Sequence, residues 1–210
     1  MKTKDNGRII DGFLKLPPDR INYEMGRYYL NKGDLSSAIT DFYKLIMTSP
    51  GNPLGYLYRA KAYFTGAAFL SACADLTKAI ELDPKLTTSW LYRGCCYEEL
   101  ERYREAISDY SEVVALRIEK QSGWDYIFRN RAPSYYNSGI YGFASPDYID
   151  AISFDVDYSR LFYHRGLSYG RLGESKLAIA DFEAALAIKP DNIHAYACLA
   201  EILSQKEGGS

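Results

Sequence analysis

The sequence predicts an all-α protein built from repeated helix pairs, and the repeat itself is the main observation. A five-residue pattern, Ala-x-x-Asp followed by Phe, Leu or Tyr, occurs five times in 210 residues. Its first residues lie 34, 34, 38 and 34 positions apart, at Ala38, Ala72, Ala106, Ala144 and Ala178. Such a period is typical of arrays in which each repeat is one supersecondary unit.

The first helix of each pair is predicted from two residues upstream of that alanine. A small residue stands 12 positions before it, at Gly26, Ala60, Gly94, Ala132 and Gly166. A tyrosine follows three positions later, at Tyr29, Tyr63, Tyr97, Tyr135 and Tyr169. The small residue allows the two helices to approach closely, and the tyrosine fills the space between them.

The second helix of each pair is predicted from the pattern and from its end signal. The alanine keeps this helix tight against the first, and the aromatic or Leu residue of the pattern packs between them. Proline follows the alanine by 12 positions at Pro50, Pro84 and Pro190, and it ends the helix because it lacks an N–H and clashes with the preceding turn. Gly33, Gly139 and Gly173 stand where the turn within a pair is predicted.

These residues resemble the tetratricopeptide repeat family, whose pattern is W-x-x-L-G-x-x-Y…A-x-x-x-F…P. Met25-Gly26-x-x-Tyr29…Ala38-x-x-x-Phe42…Pro50 matches it, and so does Gly166-x-x-Tyr169…Ala178-x-x-x-Phe182…Pro190. Trp90 and Gly94 keep the start of the pattern in the third repeat. The resemblance implies an α-solenoid that winds as a right-handed superhelix, with the first helices on its concave face.

The predicted array has five repeats and a cap at each end. The repeats span residues 19–52, 53–86, 87–124, 125–158 and 159–192, so that with a capping helix over 193–206 the array covers 19–206. We expect the apolar side of that capping helix to carry Ile193, Tyr196, Leu199, Ala200 and Leu203. Residues 1–18 are predicted to form a lead segment over the first repeat, and 207–210 a frayed tail.

The fourth repeat is predicted to be degenerate because each of its helices contains a proline. Pro133 is expected to kink or truncate the first helix, and Ser145 to cap a second helix that starts late, at Pro146. The third repeat lacks its terminal proline, so its second helix is expected to run from 103 to 121. Two interpretations stay open: a repeat that drifted, or a ligand-specific loop rich in tyrosine, with Tyr135, Tyr136, Tyr141 and Tyr148.

A departure from the family pattern predicts a set of ion pairs. Arginine replaces the usual Leu before the small residue at Arg59, Arg93, Arg131 and Arg165. An aspartate follows each by 16 positions, at Asp75, Asp109, Asp147 and Asp181. Because both charges recur with one period, we expect intramolecular Arg–carboxylate pairs, with an anion-binding ladder as the alternative.

Composition and motifs narrow the function classes. Net charge is −2, which does not favour binding to nucleic acid, and no apolar run is long enough to insert into a membrane. No secretory signal is visible, so a cytoplasmic location is predicted. The four cysteines lack the spacing of zinc ligands and are interpreted as packing residues; they are Cys73, Cys95, Cys96 and Cys198. No metal or other cofactor is therefore expected.

By the helical period, first-helix side chains that do not face the partner helix should line the concave groove. The predicted groove residues are Tyr23, Arg27, Leu57, Tyr58, Lys61, Leu91, Tyr92, Tyr126, Arg129, Asn130, Arg160, Tyr163 and His164. Aromatic faces supply contact area at low entropic cost, and arginine binds carboxylates or stacks on rings.

Some members of the resembled family bind chaperone tails through a two-carboxylate clamp, so the corresponding positions were compared with this sequence. On the first three repeats the clamp positions hold Tyr23, Arg27, Tyr58, Thr88 and Tyr92, so the clamp is not predicted there. Starting from the third repeat, Asn130 matches the pattern, and Arg160 and His164 can replace its cations. Leu91 and Cys95 do not match.

The predicted function is a non-enzymatic scaffold that binds a peptide or partner protein in the groove. No catalytic sequence motif was found in the chain. The alternatives are a co-chaperone-like adaptor that reads acidic C-terminal tails, a self-associating structural array, and an enzyme or redox sensor that uses Cys95 or Cys96.

Overall fold

The computed structural model describes residues 16–116, 124–153 and 158–207, and all regular structure in them is α-helical. Eleven helices follow one another in these ranges as sequential helix-turn-helix repeats. They divide into two compact units between Arg102 and Tyr103. The prediction of an all-α repeat protein is therefore confirmed.

Unit 1 contains two helix pairs and one further first helix. Its helices are α1 (Pro18–Lys32), α2 (Leu35–Thr48), α3 (Pro53–Thr65), α4 (Phe69–Leu82) and α5 (Thr87–Glu99). Each helix packs on the next one, and the first helices α1, α3 and α5 also contact their neighbours in that series.

Unit 2 begins with a second helix and ends with the C-terminal helix. Its helices are α6 (Tyr103–Leu116), α7 (Trp124–Asn137), α8 (Tyr141–Ser153), α9 (Tyr158–Arg171), α10 (Ser175–Ile188) and α11 (Ile193–Glu207). Here too each helix packs on the next, and α7, α9 and α11 contact one another in order. None of the helices in the described ranges is long and apolar enough to cross a membrane.

The residues that define the repeat form the core. All five pattern alanines and the aromatic or leucine residues that follow them are buried. Gly26 lies against Phe42, where an added Cβ would be only 2.6 Å from Cε1 of the ring. Gly166 stands in the same relation to Phe182, at 2.9 Å. Close approach of the two helices therefore requires the small residue, as the sequence predicts.

The turns within pairs share one left-handed residue. Gly33, Gly139 and Gly173 have φ of 79°, 75° and 79°, which confirms their predicted turn role. Ala67 and Glu101 occupy the equivalent positions, with φ of 55° and 57°. A side chain in this region crowds the following carbonyl oxygen, so these two turns are strained where the others are not.

The helix in the first half of the fourth repeat is not cut short at its proline. Helix α7 continues through Pro133 to Asn137, so the predicted truncation is wrong. Helix α8 begins at Tyr141 and contains Pro146, so Ser145 is not its N-cap. Ser145 is buried, and its hydroxyl donates back to the Tyr141 carbonyl oxygen at 3.5 Å. Burial of the residues around each proline outweighs the lost backbone hydrogen bond.

Leu199 packs in the core as predicted, but the other four residues predicted for the apolar side of the C-terminal helix are not part of its core cluster. Ala195, Cys198, Leu199 and Ile202 belong to the core cluster. Ile193, Tyr196 and Leu203 are 72%, 52% and 43% exposed. Ala200 stands 34 positions after Gly166, and Gly166 faces the second helix of its own repeat. Helix α11 packs instead on α9 and α10 of the preceding repeat, which brings the neighbouring side inward.

Some predictions fall outside the described residues. They concern most of the lead segment over 1–18, the helix extension over 117–121 and the end of the tail at 208–210. The right-handed superhelix and the degeneracy of the fourth repeat also stay predictions.

Three of the four predicted Arg–Asp pairs are present as two-pronged ion pairs. Arg59 donates from Nε and Nη2 to Asp75 at 2.7 Å each. Arg131 binds Asp147 at 2.7 and 2.8 Å, and Arg165 binds Asp181 at 2.8 and 2.7 Å. The Arg93–Asp109 pair stays a prediction. Burial raises the pKa of the Asp147 carboxyl against the opposing effect of Arg131, so this pair carries a large desolvation cost.

The same arginines also reach the preceding repeat. Arg93 Nη1 donates to Thr77 Oγ1 at 3.0 Å, and Arg131 Nη1 to Ser111 Oγ at 3.2 Å. At the equivalent place, the Arg59 guanidinium lies 5.9 Å from the centre of the Tyr43 ring. These contacts join one repeat to the next, so the arginines link helices both within and between repeats.

Candidate functional site

The predicted groove residues assemble into two groups, one in each unit. In unit 1, Tyr23, Arg27, Tyr58, Lys61 and Tyr92 form a continuous row across α1, α3 and α5, which we call the tyrosine–cation stripe. In unit 2, Arg129, Asn130, Arg160 and His164 line one cavity between α7 and α9.

The stripe begins with two tyrosines that share one cation. The rings of Tyr23 and Tyr58 meet edge to face, with centroids 5.3 Å apart. The Arg27 guanidinium lies 5.3 Å from the Tyr23 centroid and 5.8 Å from that of Tyr58. Burial, followed by the hydrogen bond with Tyr58, raises the pKa of Tyr23 to about 12. The Tyr23 phenol therefore stays neutral at physiological pH, and the Arg27 guanidinium lies close to the faces of both rings.

Lys61 continues the stripe from Tyr58 to Tyr92. Its ammonium lies 4.8 Å from the centroid of each ring, within cation–π range. Within the described ranges no carboxylate lies within 4.0 Å of this ammonium. Burial lowers the pKa of Lys61, and the charge of Arg27 lowers it further, while Tyr58 opposes the shift. Lys61 is thus a partly desolvated cation with capacity for an anionic partner.

One aromatic residue of this region was missed by the sequence reasoning. Phe64 meets Tyr92 edge to face at 5.7 Å and extends the aromatic row toward Phe69. The equivalent positions of the other repeats hold Leu30, Glu98, Tyr136 and Gly170, so no periodic signal marks this one.

The cavity in unit 2 measures about 200 Å³, and we call it the two-arginine cavity. Its lining residues are Arg129, Asn130, Pro133, Tyr148, Arg160, Leu161 and His164. The sequence did not predict Pro133 or Leu161 at this surface, and it predicted Tyr148 only as one tyrosine of a possible ligand-specific loop. Tyr148 occupies the aromatic position of the repeat pattern, which is a core position in the other repeats. Its contribution to the cavity wall could not be predicted from that position.

His164 is the titratable group of this cavity. Its ring stacks on Tyr148 with centroids 6.2 Å apart and planes 10° apart. Burial lowers the pKa of His164, and the positive charge of Arg160 lowers it further. The imidazole is therefore neutral near pH 7, with one nitrogen able to donate and the other able to accept.

A second cavity of about 370 Å³ adjoins the first and shares Arg160 and His164 with it. Tyr163, a predicted groove residue, lines it together with Lys189, Asn192 and His194. The two cavities adjoin along α9, and the second carries the carboxylate of Asp191 as well as the cations Arg160 and Lys189.

Three predicted groove residues belong neither to the tyrosine–cation stripe nor to the lining of the two cavities. Leu57 is only 3% exposed and packs in the core cluster of unit 1, so its side chain is not accessible to a partner. Leu91 is half-buried. Tyr126 is exposed and lies beneath the Arg129 guanidinium, 5.9 Å from it, at the edge of the two-arginine cavity.

The cysteines are placed as packing residues in the part of the chain that the structure describes. Cys73 and Cys96 are buried free thiols, and Cys95 and Cys198 are partly buried. The hydrogen bond with Cys73, followed by burial, raises the pKa of the Cys96 thiol, which disfavours the reactive thiolate. The described ranges contain no group of three or more side chains placed to hold a metal ion.

These features define a class of helical-repeat protein. Core residues that recur with the repeat period pack the helix pairs together, and the first helices carry a polar and aromatic surface. Residues 19–52, 87–117 and 159–192 match the tetratricopeptide repeat family. The chain is a tetratricopeptide repeat protein.

Solved structures of low sequence identity share this fold. The protein named MamA superposes with a TM-score of 0.74 at 22% identity, over 82% of this chain and 92% of its own. YrrB, described as a TPR protein with an unusual peptide-binding site, superposes with a TM-score of 0.70 at 20% identity, over 79% of this chain and 84% of its own.

Two further similarities are partial. The chain is 32% identical over 92 residues to serine/threonine-protein phosphatase 5 of Mus musculus, a match over 42% of this chain and 18% of that protein. The chain thus spans less than a fifth of that relative's length. The first TPR of Spaghetti (RPAP3), bound to the HSP90 peptide SRMEEVD, superposes with a TM-score of 0.50 at 27% identity, over 53% of this chain and 89% of its own.

Proposed function

We propose that this protein is a non-enzymatic scaffold whose first helices bind a peptide or partner protein. The observation that carries the proposal is the tyrosine–cation stripe, in which five predicted groove residues from three successive first helices form one row. Rigid aromatic rings with adjacent cations are the composition of energetically dominant binding residues. The peptide-binding description of YrrB supports the same role.

The partner of this stripe is an extended chain that carries acidic side chains. Arg27 and Lys61 present positive charge along the row, and only Arg27 has a carboxylate nearby, Glu24 at 3.6 Å. A bound carboxylate would complete the coordination of Lys61, which is already partly desolvated. Backbone and apolar groups of the ligand would lie on the tyrosine edges.

The test compares binding of a degenerate peptide library by the native chain and by matched charge variants. Lys61→Gln combined with Arg27→Gln is expected to weaken the selected acidic peptides roughly tenfold or more, since each charged hydrogen bond contributes about 1.5–3 kcal/mol. Lys78→Gln is the control, because Lys78 is an exposed cation on the second helix α4. Equal losses in both variants, or no loss in either, would refute binding at the stripe.

A second candidate is a co-chaperone-like adaptor that reads acidic C-terminal tails. Asn130, Arg160 and His164, the three predicted clamp residues, line one cavity, and the RPAP3 structure holds an HSP90 tail peptide. Titration with SRMEEVD tests it, and absence of binding at high micromolar peptide removes this candidate.

A third candidate is self-association into a structural array. It is favoured by the exposed apolar side of α11, with Ile193, Tyr196 and Leu203. Sedimentation at several concentrations distinguishes it, because a monomer throughout would leave this side without a role in assembly.

We also propose the five repeat ranges and the cytoplasmic location that the sequence predicts. The starts of the first helices at Pro18, Pro53, Thr87, Trp124 and Tyr158 support those ranges. The absence of catalytic sequence motifs supports a role without catalysis.

A further inference from the structure

The two-arginine cavity concentrates positive charge in a small volume. Arg129 and Arg160 come from neighbouring first helices, α7 and α9, and both line the space of about 200 Å³. Among the residues that the structure describes, none that lines it is acidic.

Neither arginine is neutralised by the part of unit 2 that the structure describes. No carboxylate there lies within 4.0 Å of either guanidinium. Arg131 and Arg165, on the same two helices, bind Asp147 and Asp181 through two hydrogen bonds each. The fold thus provides partners for one arginine on each helix and leaves the other directed to the cavity.

The remaining polar groups of the cavity are neutral. Asn130 contributes an amide, and His164 an imidazole whose pKa is lowered by burial and by Arg160. The charge that the described lining residues offer to a ligand is therefore that of two guanidinium groups. Guanidinium groups suit oxygen anions, which they bind by paired N–H donors.

We infer that this cavity binds the phosphoryl group of a phosphorylated serine or threonine in a bound peptide. A phosphoryl group carries a charge of about −1.5 to −2 at pH 7 and three acceptor oxygens, which matches two guanidiniums and neutral donors. A single carboxylate would leave one positive charge uncompensated. The inference rests on the proposed function, since it specifies which side chain of the bound peptide unit 2 reads.

The adjoining cavity provides a path for the rest of the peptide. It continues from Arg160 and His164 to Lys189 and Asn192, and it is larger, at about 370 Å³. An extended chain whose phosphoryl group occupies the two-arginine cavity can therefore proceed along α9.

The experiment uses the full chain and three degenerate peptide libraries that differ only at a central position, which holds phosphoserine, glutamate or serine. Selected phosphoserine peptides are expected to bind roughly tenfold or more tightly than their glutamate counterparts. Arg129→Gln and Arg160→Gln should each abolish this preference. Arg104→Gln, which changes an exposed arginine of α6 in the same unit, should retain it.

Each other outcome overturns the inference. Equal affinity for phosphoserine and glutamate would show a carboxylate site, and a preference that survives both cavity variants would place the phosphoryl group elsewhere. If phosphoserine gives no advantage while the library still binds through Lys61 and Arg27, the inference fails and the proposed function stands. If no library binds, both fail.

Discussion

The first helices of the two units use the same residue types in opposite ways. In unit 1, Arg27 and Lys61 lie over tyrosine rings, so that cations and aromatics form one packed row. In unit 2, Arg129 and Arg160 line a cavity. The row therefore offers contact area with charge at its surface, whereas the cavity offers charge around a concave, partly open volume.

The difference arises from one register position. Tyr58 and Tyr92 stand 34 residues apart, and each packs against the cation of α3. The equivalent positions in unit 2 hold Asn130 and His164, which line the two-arginine cavity. Asparagine and histidine at this register leave a cavity where unit 1 has packed tyrosine rings. The same repeat scaffold can thus present two kinds of binding surface.

The largest expected effect concerns what the units share, the buried Arg–Asp pairs. Arg59→Met in unit 1 and Arg165→Met in unit 2 should each lower the free energy of unfolding by about 3–5 kcal/mol, because an unpaired carboxylate stays buried. Chemical denaturation of both variants measures this.

The first repeat supplies the control for this prediction. Met25 replaces the arginine there, and the half-exposed Lys44 binds Asp41 at 2.8 Å. Asp41 is buried too, but the exposed Lys44 ammonium donates one hydrogen bond to it where each arginine donates two to its aspartate. Lys44→Met should therefore cost less than either arginine variant. A similar loss in all three variants would show that the pairs are not the common support of both units.

The next effect separates the two surfaces. Tyr58→Ala should cost about 2–4 kcal/mol, because Tyr58 packs on Phe42, Tyr23 and two cations. Arg160→Gln, at an exposed position, should change stability by at most about 0.5 kcal/mol. Thermal unfolding measures both. If Tyr58→Ala is neutral, the stripe is a surface without a structural role, and the comparison between row and cavity fails.

The helix pairs, the core and the ion pairs could be predicted from the sequence because each depends on a residue at a fixed period. Gly26 and Ala38 mark a close approach that their size alone indicates. Pro133 and Pro146 misled the prediction, since local helix preference does not include the packing that holds α7 and α8 together.

The candidate site was predicted only in part, for two physical reasons. The helical period identifies which residues leave the core, yet it placed Leu57 on the surface when its side chain packs inward. The separation into a stripe and a cavity depends on contacts between repeats, such as Lys61 with Tyr92. Those contacts join residues 31 positions apart, and a pattern within one repeat does not contain them.

A smaller effect concerns the turns, which also differ between the units. Unit 1 holds Ala67 and Glu101 in the left-handed region besides Gly33, while unit 2 uses only glycines there in its described turns, Gly139 and Gly173. Ala67→Gly should stabilise the protein by about 0.5–1 kcal/mol, and Gly173→Ala should destabilise it by about 1 kcal/mol. No other heavy atom lies within 4 Å of a Cβ added at Gly173, so the backbone alone decides the cost. Denaturation midpoints that move in the same direction for both variants would contradict this account.

The smallest expected effect is on the pH dependence of stability, which should differ between the two surfaces because the cavity contains a histidine and the stripe does not. Burial and Arg160 lower the pKa of His164 below its ordinary value of 6.5. As the pH falls through that value, the unfolded chain binds a proton that the folded chain does not, so stability decreases. His164→Gln should reduce this decrease between about pH 7 and 5. The exposed His194 provides the control, and His194→Gln should leave the decrease unchanged. Identical pH profiles for the native chain and His164→Gln would mean that His164 is solvated, and the account of this imidazole as a buried, neutral group would have to be abandoned.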